Sequence, residues 1–121
     1  IGSISINRNK ISKDNLGLID KIKNSVRNSE RPLIIFPQGT RVLPNETIPF
    51  KKGVGRIYDE LKIKCQPVAI NSGNVWPKNG KLTSKKTIII SILTAVKPGM
   101  SSADFTNYIE SKIYNELDIM N

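Results

Sequence analysis

A short, unbroken apolar run that ends in a cationic turn constrains this chain more than any other feature. Leu33-Ile34-Ile35-Phe36 passes directly into Pro37-Gln38-Gly39-Thr40-Arg41. A run of this kind between polar flanks suits a strand covered on both faces, as in the parallel sheets of α/β folds. Ligands of such folds bind beyond the carboxyl ends of the strands, which is where this turn emerges. Gly39 lets backbone N–H groups approach an anion, Thr40 offers a hydroxyl, and Arg41 carries a planar donor fork that matches phosphate. Gly-Thr-Arg by itself is more often an ordinary turn, so its neighbours decide its weight.

The periodicity elsewhere supplies the remaining elements. Ile4 and Ile6 alternate with Ser3, Ser5 and Asn7, which predicts a short strand with one buried face. Ser12 is placed to cap a helix over 13–28, with Leu16, Ile19, Ile22 and Val26 on one face and Lys21, Lys23 and Arg27 turned outward. A second helix is predicted over 54–61, where Val54, Ile57, Tyr58 and Leu61 form the apolar stripe. Residues 66–71 read as a buried strand beside Cys65, and 71–80 as a loop carrying Trp76. Residues 87–96 read as a long β-branched strand stopped by Pro98-Gly99. Ser101 or Ser102 opens a last helix through about residue 117, with Phe105, Tyr108, Ile109 and Ile113 facing inward. The order β-α-β-α-β-β-α predicts an α/β fold with a mostly parallel sheet flanked by helices. A chain of 121 residues has room for one such domain, 1–121.

Composition removes several chemistries. The chain holds no histidine and one cysteine, so Ser-His-Asp or Cys-His catalysis, an ordinary zinc site and an internal disulfide are all excluded within it. No apolar run reaches the ~20 residues that span a bilayer, and no signal peptide is visible. The net charge is +9 and uneven: residues 1–100 carry eighteen Lys/Arg against six Asp/Glu, and residues 101–121 one against four. A basic body implies an anionic partner: phosphate, nucleic acid or an anionic membrane surface.

Two neighbours favour phosphate. Phe50-Lys51-Lys52-Gly53 opens the second helix, whose first N–H groups and two lysines are able to face one anion. Gly2-Ser3-Ile4-Ser5-Ile6-Asn7-Arg8 ends another strand in an arginine, again at a carboxyl edge.

Together these segments resemble the glycerophosphate and lysophosphatidate acyltransferases. Phe36-Pro37-Gln38-Gly39-Thr40-Arg41 resembles their Phe-Pro-Glu-Gly-Thr-Arg block, and residues 2–8 resemble the preceding Gly-x-Ile-x-Ile-Asp-Arg block. Residues 50–53 look like the Phe-Lys-x-Gly element, and Gln66-Pro67-Val68-Ala69-Ile70 is similar to a Val-Pro-Val-type strand block. The blocks cover residues 2–72; beyond them, 87–117 adds compatible strand and helix.

The resemblance implies transfer of a fatty acyl group from acyl-CoA or acyl-carrier protein to 1-acyl-glycerol-3-phosphate (lysophosphatidic acid), giving phosphatidic acid without a further cofactor. It makes Arg8 and Arg41 ligands of the acceptor phosphate, with Gly39 and Thr40 shaping the loop and Lys51 beside them. Phe36, Pro37, Gln38 and Gly53 accompany them as motif residues. The family's general base is a histidine in an upstream His-x-x-x-x-Asp block, which is missing here. The chain, opening at Ile1 in an apolar alternation, is expected to be a truncated acyltransferase domain that is inactive alone. The second departure is Gln38 in the place of Glu, which keeps size and hydrogen bonding but loses charge. The resemblance further implies a protein at the cytoplasmic face of an anionic membrane, and the Ile-, Asn- and Lys-rich usage suggests a bacterial source. The alternatives are a basic nucleic-acid-binding domain, against which stands the lack of any aromatic-basic motif, and a non-catalytic phosphoanion-binding module.

Overall fold

A computed structural model describes residues 13–77, 80–82 and 85–120. The chain divides into two compact units, Ile1–Ile35 and Phe36–Asn121. In the first, α1 (Lys13–Asn28) follows the predicted stripe: Ile22 is buried and Ile19 and Val26 are half-buried, while Lys21 and Arg27 face solvent. The cationic Arg27 in its last turn complements the negative end of the helix dipole.

The second unit contains α2 (Lys52–Leu61), β1 (Val68–Ile70), the one-turn α3 (Ser72–Val75), β2 (Ile90–Ile92) and α4 (Ser102–Met120). Its core is Phe50, Val54, Tyr58, Val96, Phe105 and Ile109, with Cys65, Met100, Ile113 and Tyr114 packed around it. Tyr58 lies face to face with Phe105, ring centroids 3.7 Å apart. The Tyr58 hydroxyl donates to Lys97 O at 2.6 Å and accepts from Met100 N at 3.1 Å, so its polar end is satisfied where the ring is buried. Ser101 caps α4 by accepting the Asp104 N–H at 3.1 Å. Helices α2 and α4 approach closely at Gly55, where a β-carbon would meet Thr106 Oγ1 and both the carbonyl and the hydroxyl of Ser102. Thr106 itself is buried and donates to Ser102 O at 2.8 Å.

The mixed helix-and-strand composition matches expectation, but the sheet among the described residues is not parallel. β1 and β2 pair antiparallel, with Val68 opposite Ile92, Ala69 opposite Ser91 and Ile70 opposite Ile90. The ladder runs on to a bridge between Cys65 and Val96. A parallel return needs a crossover that spans the sheet, usually a full helix. Among the described residues of 71–89 the helical structure is the single turn of α3, and the chain doubles back. Asn71 seals that return: its side-chain oxygen accepts the Ile89 N–H at 2.7 Å.

Three further expectations change. Residues 33–36 form no strand; Ile34 is 74% and Phe36 81% exposed. On α4, Tyr108 is exposed where the stripe placed it inward. The 66–71 and 87–96 strands shrink to three residues each; β1 buries only Ala69, and β2 only half-buries Ser91. Ala69 and Ser91 face α4, and the Ser91 hydroxyl donates to Glu116 Oε1 at 2.8 Å. Val68, Ile70, Ile90 and Ile92 form an exposed face opposite.

Two outcomes follow from this packing. Gly55→Ala is expected to destabilise the second unit by about 1–3 kcal/mol in urea unfolding, because the new methyl has no space at the helix contact. Burial pushes the Cys65 thiol up, which disfavours the reactive thiolate. A disulfide reagent at about pH 8 is expected to modify Cys65 roughly tenfold more slowly in the folded chain than in urea. The sign carries over to stability. Because the folded thiol holds its proton to higher pH, this group takes nothing from stability below its unfolded value and lowers it as pH rises towards the folded one.

Candidate functional site

Residues 36–41 are organised by a tight turn. Pro37 occupies its second position, where a locked φ is favourable, and the Gly39 N–H closes it onto Phe36 O at 3.0 Å. Gly39 has φ of +74°, a left-handed conformation that side chains with a β-carbon rarely adopt. A second bond joins this turn to the start of α2: Lys51 N–H donates to Pro37 O at 2.8 Å. The Lys51 side chain then lies across Gly39, so that a β-carbon there would sit 3.2 Å from Lys51 Cγ and 3.4 Å from Cε. Two of the sequence-predicted blocks are thereby one structural unit, and the hydrogen atom at Gly39 is what permits their contact.

The electrostatics are one-sided. Lys51 is the N-terminal flanking residue of α2, extended at φ −67° and ψ 141°, and its side chain makes no capping bond. No acidic residue lies in the first turn of α2. The positive end of the helix is therefore matched by no carboxylate of its own. Thr40, Arg41, Lys51, Lys52 and Gly53 are exposed, and among the described residues no ion pair engages Arg41, Lys51 or Lys52. Such an arrangement of donors and cations has the chemistry of an anion site and contains no group able to act as a neutral-pH base.

A residue that the sequence did not mark completes the assembly. Tyr114 of α4 reaches both loops: its hydroxyl accepts from Gln38 Nε2 at 3.0 Å and from Ile48 N at 3.1 Å, and donates to Ile48 O at 2.7 Å. Its ring also packs on Phe50, centroids 5.4 Å apart. Only its place beside Ile113 on the apolar side of α4 hinted at burial, and nothing in its neighbours pointed to residues 38 and 48. Arg8 lies outside the described residues, and with it the first predicted strand. Phe36 is no buried strand end, being exposed at the rim of the turn.

Gly39→Ala is expected to separate the two blocks, combining left-handed strain with displacement of Lys51. The expected loss is about 1–2 kcal/mol in urea unfolding, together with a shift of the Lys51 amide resonance; a variant with an unchanged Lys51 signal would contradict the contact.

Comparison with known proteins identifies the family. The Acyltransferase family model matches residues 1–71. Over 119 residues the chain is 29% identical to the 1-acyl-sn-glycerol-3-phosphate acyltransferase of Helicobacter pylori (strain J99), covering 95% of this chain and 48% of that protein. Over 120 residues it is 26% identical to the 1-acyl-sn-glycerol-3-phosphate acyltransferase of Saccharomyces cerevisiae, covering 96% of this chain and 39% of that protein. The chain thus spans half or less of the length of these curated relatives. No solved structure matches it significantly. Since the family match takes in more than half of the chain, including the joined turn and helix start, this chain belongs to the acyltransferase family.

Proposed function

We propose that this chain supplies the acceptor-phosphate site of an enzyme that transfers a fatty acyl group from acyl-CoA or acyl-carrier protein to 1-acyl-glycerol-3-phosphate. The observation that carries the reading is the Lys51-to-Pro37 bond, which brings a glycine turn ending in Arg41 against an uncapped, lysine-flanked helix start. The phosphate monoester sits against Arg41, the N–H groups of the turn and the cationic start of α2, with Arg8 as a further ligand. A charge-assisted contact of this type contributes about 1.5–3 kcal/mol, so two or three together hold a monoester.

Deprotonation of the acceptor hydroxyl requires a base that these 121 residues lack, since they contain no histidine. The base belongs to a His-x-x-x-x-Asp block elsewhere in the complete enzyme, and the present chain binds without catalysing. Within the complete enzyme the bare face of Val68, Ile70, Ile90 and Ile92 is covered by further secondary structure, which restores the larger sheet flanked by helices. Trp76 and Leu82, both exposed, share the 71–89 connection with the exposed Lys81, Lys85 and Lys86. That combination of apolar and basic side chains suits an anionic membrane surface, where the lipid acceptor resides. Among the described residues no helix is long and apolar enough to cross a membrane.

The test is acyl transfer to lysophosphatidate by a protein in which this chain is joined to a His-x-x-x-x-Asp segment. Arg41→Ala is expected to raise the KM for the acceptor about 10- to 100-fold with a smaller change in kcat, the signature of lost ground-state binding. The chain by itself is expected to show no transfer. An unchanged KM in Arg41→Ala, or turnover by the isolated chain, would overturn the assignment.

A further inference from the structure

We propose that Tyr114 is a positioning residue for the phosphate site, and that Gln38 is its matched hydrogen-bond partner. On this view position 38 serves as a neutral donor that fixes the turn and has no acid-base or anionic role. The inference deepens the phosphate-site reading and rests on it for its functional consequence.

The argument starts from the phenol's bonding capacity. A tyrosine hydroxyl has one hydrogen to donate and two lone pairs. Here the hydrogen goes to Ile48 O at 2.7 Å, and the lone pairs receive Ile48 N–H at 3.1 Å and Gln38 Nε2–H at 3.0 Å. The capacity is fully used. Because its only hydrogen is committed to a backbone carbonyl, the hydroxyl can meet residue 38 only as an acceptor, so residue 38 must bring a donor. Glutamine does so through its amide nitrogen; a carboxylate has none and would face the phenol oxygen with its own lone pairs. To bond a carboxylate the phenol would have to turn its hydrogen away from Ile48 O and leave that half-buried carbonyl without its partner.

The location gives this matching its consequence. Gln38 lies between Pro37, whose carbonyl holds Lys51, and Gly39, over which the Lys51 side chain lies. Ile48 lies on the segment that leads into Phe50, which packs on the Tyr114 ring. One hydroxyl on α4 therefore restrains the turn from one side and the approach to α2 from the other. Tyr114 touches no phosphate-binding group itself; it acts through residues 38 and 48.

The experiment uses the chain as it stands, with sn-glycerol 3-phosphate as the probe, and combines Tyr114→Phe with Gln38→Met. Phenylalanine keeps the ring on Phe50, and methionine keeps the length of residue 38 without its amide. Binding is measured by titration, and amide hydrogen exchange is followed at Gly39, Ile48 and Lys51. Tyr114→Phe is expected to weaken binding about tenfold and Gln38→Met about threefold to fivefold. The double variant should bind no more weakly than Tyr114→Phe alone, because the amide has nothing left to bond. Exchange should quicken at Ile48 and Lys51 in Tyr114→Phe. Additive losses in the double variant, or binding and exchange unchanged in both single variants, would overturn the proposal. If the unsubstituted chain fails to bind glycerol 3-phosphate, the phosphate-site reading fails. The exchange pattern still decides the Tyr114–Gln38 coupling in that case.

Discussion

The closeness of α2 and α4 at Gly55 is the constraint on which the second unit depends. With only a hydrogen at residue 55, the α2 backbone can settle against Ser102 and Thr106. Tyr58 then reaches Phe105 on the same side, and the helices run in opposite senses, since Phe50 before α2 meets Tyr114 near the far end of α4. The candidate site inherits its position from this crossing. The start of α2 is carried to where Tyr114 of α4 presents its hydroxyl, and the 36–41 turn is tied to both. A helix contact in the core thus sets the geometry of a surface loop, through packed rings and then through hydrogen bonds.

Charge is distributed with the same economy of partners. The acidic excess of residues 101–121 lies on α4, and one of its carboxylates, Glu116, is occupied by Ser91. Arg41, Lys51 and Lys52 are left exposed around a helix start that has no acidic residue in its first turn. Like charges gathered near a positive helix end repel one another, and an anion there would relieve that repulsion. By contrast, the exposed Lys62–Asp59 pair at 3.2 Å spans one turn of α2 and contributes little, about 0.3–0.5 kcal/mol.

The sheet shows where local reading stops. Periodicity identified strands near 66–71 and 87–96, and both contain one, but the direction of pairing is a property of the connection and not of either strand. The alternation of Val68, Ala69 and Ile70 leaves two large side chains outward and one small one inward, beneath α4. Val68 and Ile70 stand opposite Ile92 and Ile90, so the exposed face is apolar throughout. Such β-branched residues were read as belonging in a core, yet among the described residues nothing covers them. Tyr108 failed for the opposite reason: its spacing fits the stripe, but the inward face of α4 is filled by Phe105 and Ile109, and the Tyr108 ring remains outside near Lys112.

What the sequence determined by itself was local. Helices α1, α2 and α4 follow from apolar spacing and, for α4, a serine cap, because those signals lie within a turn or two of the residues they order. The Phe-Pro-Gln-Gly-Thr-Arg turn follows as well, since a turn needs only its own proline and glycine. Tertiary structure alone decided that the turn and the Phe-Lys-Lys-Gly helix start are joined, that Gly39 makes room for Lys51, and that the strands run antiparallel. It alone recruited Tyr114, 76 residues beyond Gln38. A hydroxyl's partners are chosen by the crossing of two helices, and no pattern in the residues around it records that choice.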